Sequence, residues 1–445
     1  MTPLGWIGIV RLGLVQAALG AVVVLTTSTM NRVMVVELAL PAMVPGALVA
    51  LHYAMQLLRP RLGHGSDVGG RRTPWIVGGM ALLAAGGVGA ATAIAMIPAA
   101  PFVGLALATL AFLAIGVGVG ASGTSLLVLM AKRVAPHRRP AAATVTWVLM
   151  ILGFIVTAAI TGRLLDPYSP DRLIAIATGV GIAAVLVTIV AIWGIEGHAT
   201  DADAPAPRQA SASEFRSALA EVWAEPASRG FAIFVFVSML AYSAQDLILE
   251  PWAGLVFAMT PGETTRLSGV QHFGVLLGMI VVGFAGTVVG RRRPGALRGW
   301  MIGGCVASAG SLALVGIGGL YGPGWPVRET VFLLGLCNGA YAVAAIGSMM
   351  ERVGQGQARR EGLRMGIWGA AQAVAFGIGG FLGTMAVDAA RLVFADPATA
   401  YASVFVGEGL MFVAAALMAS RLDFTRLGLA RAVPRETATH EPAGA

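Results

Sequence analysis

Side chains able to hold charge, exchange a proton or ligate a metal are few in this sequence, and they fall into small sets. The stretch "GHGSDVGGRR" (Gly63 to Arg72) gathers Asp67, Arg71 and Arg72 among glycines, in a chain that is 57% hydrophobic and only 12% charged. Gly63 and Gly70 permit a tight reversal, and Asp67 and Arg71 can pair in one conformation and part in another. Gly63, Asp67, Gly70, Arg71 and Arg72 are therefore expected to form a conformational clamp. Two further clusters, Asn31, Arg32 and Glu37 early in the chain and Asp246 and Glu250 past its middle, lie within or at the end of apolar runs. Asp246 and Glu250 share a helical face at i and i+4. Together the clusters read as a polar gate; the plainer reading makes Asp246 and Glu250 solvated interfacial carboxylates, with Pro251 ending their helix. Glu408 stands 13 residues before Arg421, about 20 Å along a helix, where a carboxyl is costly unless neutral or paired. His52 and His272 complete the inventory, as packing histidines or as lone-pair donors to a metal.

These residues are positioned by elements that composition identifies. A mean hydropathy of +0.80 with only 22 acidic residues in 445 excludes a soluble multidomain protein. Runs long enough to cross a hydrocarbon core recur at 11–35, 41–62, 74–97, 102–130, 142–162, 172–194, 229–255, 265–289, 297–320, 329–350, 364–387 and 399–420. Barrel strands would alternate rather than give unbroken runs such as "AALGAVVVL", so twelve helices are expected. No A-x-A-like cleavage site follows the first run, which reads as retained. Of the 30 basic residues, 24 fall in the even loops and the two ends and 6 in the odd loops. Both termini are therefore expected on the cytoplasmic side, and the polar gate at the periplasmic mouth. The same asymmetry accounts for the net charge of +8, so the basicity does not call for nucleic acid as a partner.

The chain repeats its own pattern at an offset of about 220 residues. Gly70-Arg71-Arg72 returns as Gly290-Arg291-Arg292, His52-Tyr53-Ala54 as His272-Phe273-Gly274, and Trp147 as Trp368. Three matches in one order predict two parallel six-helix halves, residues 1–194 and 229–420, with a tail over 421–445. The connecting loop 195–228 opens as a polar, Pro/Ala-rich linker. Farther on, Phe215, Ala218, Leu219, Val222 and Trp223 line one face of an expected interfacial helix, with Ser211 and Glu214 at capping-box spacing.

"GVGASG" (Gly118 to Gly123) satisfies a dinucleotide-loop spacing, yet it lies in the middle of an apolar run. Close helix packing through small residues is the expected role. Cys305 and Cys337 lie inside apolar runs without metal-ligand spacing. No nucleophile–base set, metal cluster or cofactor loop stands outside the apolar runs, so no enzyme is expected.

The loop Gly63-x-x-x-Asp67-x-x-Gly70-Arg71-Arg72, with twelve runs and a two-fold repeat, resembles the signature loop of the major facilitator superfamily. "RLGLVQAALGAVVVL" (Arg11 to Leu25), "NRVMVVELALPA" (Asn31 to Ala42), "LHYAMQLLRP" (Leu51 to Pro60), "APHRRPAAATVTWVLMI" (Ala135 to Ile151), "AQDLILEPWAG" (Ala244 to Gly254) and "MGIWGAAQAVAFGIGG" (Met365 to Gly380) resemble the PucC/LhaA, or bacteriochlorophyll delivery, family. The short segment before Arg11 and the compact loop before Arg71 are similar to the branch associated with late bacteriochlorophyll biosynthesis. The resemblance implies an all-α membrane protein of the major facilitator fold, in the inner or intracytoplasmic photosynthetic membrane of a phototrophic bacterium. It also implies a role in assembling photosynthetic complexes.

On that resemblance bacteriochlorophyll, or a tailed precursor, is the expected ligand, with bacteriochlorophyll synthase or other late biosynthetic enzymes and light-harvesting antenna polypeptides as partners. Neutral His52 or His272 could give the pigment's magnesium its axial ligand, His52 being preferred, with Glu408 as a further candidate. The alternative is a proton-coupled secondary transporter of a small solute, which would want several mid-membrane charges.

Overall fold

The computed structural model describes residues 3–58, 71–135, 138–196, 220, 223–290, 296–353 and 361–421. Among these are twelve long helices: α1 Trp6–Glu37, α2 Met43–Leu58, α3 Thr73–Met96, α4 Pro101–Arg133, α5 Arg139–Leu164 and α6 Pro170–Ile192. The second six are α7 Pro226–Phe257, α8 Pro261–Gly290, α9 Ala296–Tyr321, α10 Val327–Val353, α11 Glu361–Val393 and α12 Pro397–Arg421. Eleven are long and apolar enough to cross a membrane, and α2 is shorter over its described part. Apolar side chains such as Phe102, Trp193 and Leu392 face outward, as a lipid-facing surface allows. Residues 197–219 and 221–222, which hold nearly all of the expected linker helix, lie outside the described residues.

The helices pair in the same way in each half. In the first, α1 packs on α5 and α6, α3 on α4 and α6, and α2 on α4. In the second, α7 packs on α11 and α12, α9 on α10 and α12, and α8 on α10. Each half encloses an apolar core, the first of which also takes in Leu247 of α7. The halves meet chiefly along α5–α8 and α2–α11, and where α1 crosses α7. Both Trp6 and Arg421 mark one end of the bundle, here the proximal end; the opposite, distal end carries the turns after α1, α3, α5, α7, α9 and α11. At the proximal end Arg11 bonds Ala191 O at 2.9 Å and Trp193 O, so a guanidinium covers the negative C-terminus of α6.

Two helices depart from the expected bounds. α1 runs to Glu37 and contains two π-helical turns, Leu25–Thr29 and Val33–Glu37. Thr26 and Thr27 return their hydroxyls to Val22 O and Val23 O, a local bonding that loosens the regular ladder. The widened turns break the 3.6-residue period and bury Ser28, Thr29, Asn31 and Arg32 consecutively. α7 does not end at Pro251 but continues to Phe257, closing on Ala258 in the left-handed region at φ 52°.

Close packing of the glycine run in α4 is observed directly. A Cβ on Gly118 would stand 2.6 Å from Leu83 N, so only glycine lets α3 and α4 approach this closely. Gly118→Val should separate the two helices at a cost of about 1–3 kcal/mol or more, read as a lowered Tm in detergent. Gly78→Val, with nothing within 4 Å of its added carbon, should leave Tm unchanged.

Candidate functional site between the halves

The crossing of α1 and α7 begins with a missing donor. Pro251 has no N–H, so Leu247 O, four residues earlier in α7, loses its helical partner. Asn31 of α1 supplies the replacement, its Nδ2 donating to Leu247 O at 2.7 Å. The adjacent Arg32 is 2% exposed and lies against Gly254, where a Cβ would come within 3.0 Å of the guanidinium. Arg32 donates to Met259 O at 2.7 Å beyond the end of α7 and pairs with Glu37 of its own helix. Ser28 donates to Glu250 and lies 3.1 Å from the Ser268 hydroxyl, while Thr29 and Thr265 are 3.1 Å apart.

Asn31, Arg32, Glu37 and Glu250 are thus drawn into one contact zone. The plainer reading of Glu250 needs correction: the side chain is 3% exposed and is held by a hydroxyl from the other half. Asp246 lies one turn farther in and takes no part in this zone. It is exposed while its chain neighbours Gln245 and Leu247 are buried, so it opens onto the space between the halves, with Gln271 beside it. Phe376 of α11 stands in the same space, its ring 6.4 Å from Tyr53 of α2 and 5.7 Å from Tyr242 of α7. A carboxylate, an amide and three aromatic rings therefore share one intramembrane surface.

The two histidines match in sequence but not in surroundings. His52 is 1% exposed, with its ring edge-on to Tyr53 and Nε2 3.2 Å from Gln56 Nε2 on the same helix. His272 is half-buried where α8 meets α5, 4.9 Å from the Phe154 ring, with Nδ1 2.8 Å from Ser268 O. A carbonyl can only accept, so Nδ1 carries the proton and the neutral ring keeps its lone pair on Nε2. Glu408 is 4% exposed inside the second half.

Gly63, Asp67 and Gly70 of the expected clamp lie outside the described residues. Arg71 is exposed and Arg72 buried at the start of α3. There Glu196, just beyond α6, accepts from Arg72 N, from Thr73 N at 2.8 Å and from Thr73 Oγ1. Burial opposes its ionisation, but these bonds and the nearby Arg71 charge hold its carboxyl below the usual range.

Glu196 went unnoticed in the sequence, and so did two further carboxylates. Asp166, after α5, accepts from Gly262 N at 3.0 Å and Thr260 Oγ1 at 3.0 Å, with Arg266 Nη2 at 3.5 Å. Asp388, late in α11, accepts from Ala42 N at 2.9 Å and Met43 N at 2.8 Å. Each clasps the N-terminus of a helix from the other half, α8 or α2, where amides and the helix dipole favour an anion. Asp166 and Asp388 stand at nearly the repeat offset, as do Pro41 and Pro261 before the clasped helices. That offset was the signal available in the sequence. At the distal end, Arg32, Glu37, Asp166, Tyr168 and Glu263 line a cleft of about 680 Å³.

The profile of the PUCC protein family matches residues 29–427. A protein of Rhodobacter capsulatus named "Bacteriochlorophyll synthase 44.5 kDa chain" is 52% identical over 96% of this chain and 98% of its own length. "Protein PucC" of the same organism is 30% identical over 92% of this chain and 90% of its own. Among solved structures, a D-xylose–proton symporter superposes with a TM-score of 0.68 at 14% identity, covering 93% of this chain and 97% of its own. The fold is that of the major facilitator transporters.

Neutralising the clasps should loosen the distal end. With Val36→Cys as reporter in the cleft, Asp166→Asn with Asp388→Asn should raise the rate of thiol labelling about tenfold, each single change giving less; Cys305 and Cys337 are buried and set a low background. An unchanged rate would remove the clasps from control of opening. Glu196 predicts an acid effect. Its lowered folded pKa stabilises the protein fully above the unfolded value of about 4.3, and this contribution is lost as pH falls through the folded value. Glu196→Gln should lower Tm at about pH 7 and flatten its fall in acid.

Proposed function

The chain belongs to the PUCC protein family, and on that premise we propose that it is a pigment-handling membrane protein. It binds bacteriochlorophyll, or a tailed precursor, and passes it to a late biosynthetic enzyme or to light-harvesting antenna polypeptides. It makes and breaks no covalent bond itself, and the synthase name belongs to the relative that carries it. The protein lies in the bacterial inner membrane with both termini in the cytoplasm, so that the distal end is periplasmic.

The observation that carries this reading is the surface between the halves. The rings of Tyr53, Phe376 and Tyr242 suit the face of a large macrocycle, and Asp246 and Gln271 can meet its polar substituents. For the magnesium we favour His272 over His52. A histidine that donates one ring N–H to a backbone carbonyl is oriented for ligation through the other nitrogen, and His272 is half-buried whereas His52 is sealed against α4.

A second reading, proton-coupled transport of a small solute, is favoured by Glu250 and Glu408, two carboxyls buried inside spanning helices. Colour separates the two. Purified in mild detergent from a pigment-making host, the protein should absorb in the far red, and His272→Leu should lower bound pigment at least about threefold while His52→Leu lowers it less. Colourless wild-type protein would overturn the pigment reading. Equal pigment in wild type, both variants and the double variant would reject histidine ligation.

A further inference from the structure

The core of the second half holds polar side chains that neither the contact between the halves nor the pigment reading employs. On α7 the stripe Ser238, Gln245, Trp252 repeats every seven residues, and on α12 Phe405, Glu408 and Phe412 share a face. Trp252 packs on Phe405 with ring centroids 5.7 Å apart. Two turns away Tyr341 of α10 packs on Phe412 at 5.7 Å and donates to Ser238. These aromatic contacts are two lids. Between them Gln245 and Glu408 must lie at one level. Asn338 is one turn before Tyr341 on the same face of α10, and Ser308 precedes Ala309 of α9, which packs on Gly409.

All four side chains are buried, Gln245, Ser308 and Asn338 completely. Among the described residues, none of their seven side-chain polar atoms has a protein hydrogen-bond partner. Packing alone does not demand such a layer. At the repeat offset of about 220, the first half carries Leu25, Val88, Gly118 and Thr188, with no carboxyl.

We propose that this layer is a binding site for a small monovalent cation of sodium size, with Glu408 as its charge partner. The four side chains offer five oxygens, two carboxylate, two amide carbonyl and one hydroxyl, the hard donor set such an ion takes. A water molecule would satisfy some of these atoms but leave a carboxylate charge in a low-dielectric core. A proton on Glu408 would remove the charge, but its single O–H can serve only one of the two amide oxygens. One cation answers both demands, and the amide N–H2 groups can turn to the remaining carboxylate lone pairs. The site deepens the asymmetry between the halves: the second half becomes the one whose internal packing responds to ions.

The test needs no pigment. Tm of the purified protein is measured at constant ionic strength as sodium chloride replaces choline chloride. Sodium should raise Tm of the wild type by about 3 °C, saturably. Glu408→Gln and Asn338→Ala should abolish the rise, and Glu329→Gln, exposed at the start of α10 and outside the layer, should keep it. Should those two variants fail to fold, Ser308→Ala removes one donor only and should move the half-saturating sodium concentration upward several-fold. Equal wild-type Tm in sodium and choline would overturn the proposal. So would a sodium response that survives Glu408→Gln, or a half-saturating concentration unmoved by Ser308→Ala.

Discussion

The contact between the halves is organised by one backbone acceptor. Pro251 lets α7 continue but strips Leu247 O of its partner, and an unpaired buried carbonyl costs about 1–3 kcal/mol. Asn31 meets that need from the other half, which fixes the rotation of α1 against α7. Once Asn31 is placed, the π turns on either side of it set Ser28 against Glu250 and lay Arg32 along Gly254 toward Met259 O. The polar residues of α1 thus act on the partner helix at three successive levels. A regular α-helix, with its 3.6-residue period, would have turned some of them into lipid.

Much of the scaffold was legible because apolar run length and the repeat are long-range signals that survive local irregularity. The pairing of helices is the same in both halves, as the recurrence of Gly-Arg-Arg and of the two histidine triplets implies. Environments were less legible than positions. Trp147 and Trp368 correspond in sequence, yet Trp147 is 44% exposed whereas Trp368 is buried and donates to Ser228 O. His52 and His272 diverge in the same way, because one backs onto α4 of its own half and the other meets α5 of the opposite half. The i and i+4 spacing set Asp246 and Glu250 on one helical face but could not tell a wetted face from one covered by another helix.

The partners that escaped the sequence share a chemical trait: they are main-chain groups. Leu247 O, Met259 O, and the amides of Ala42, Met43, Gly262, Arg72 and Thr73 are present whatever side chain their residue bears. Asp166, Asp388 and Glu196 therefore look like loose charges near helix ends until the fold shows what they hold. Glu408 was visible for the opposite reason, since a carboxyl deep within an apolar run must be neutral or paired.

The pair of aspartate clasps carries an evolutionary consequence. Because each grips backbone N–H groups, selection can preserve the latch by guarding two aspartates alone. At one latch the receiving positions, Ala42 and Met43, are free to drift to almost any residue whose bulk fits, proline alone erasing the donor; at the other, Gly262 is held as glycine, since a Cβ there would stand 2.3 Å from both Asp166 Oδ2 and Gly162 O. Descendants of this sequence could keep both latches while the receiving half of one becomes unrecognisable, so that comparison by residue identity would understate how faithfully that contact between the halves has been inherited.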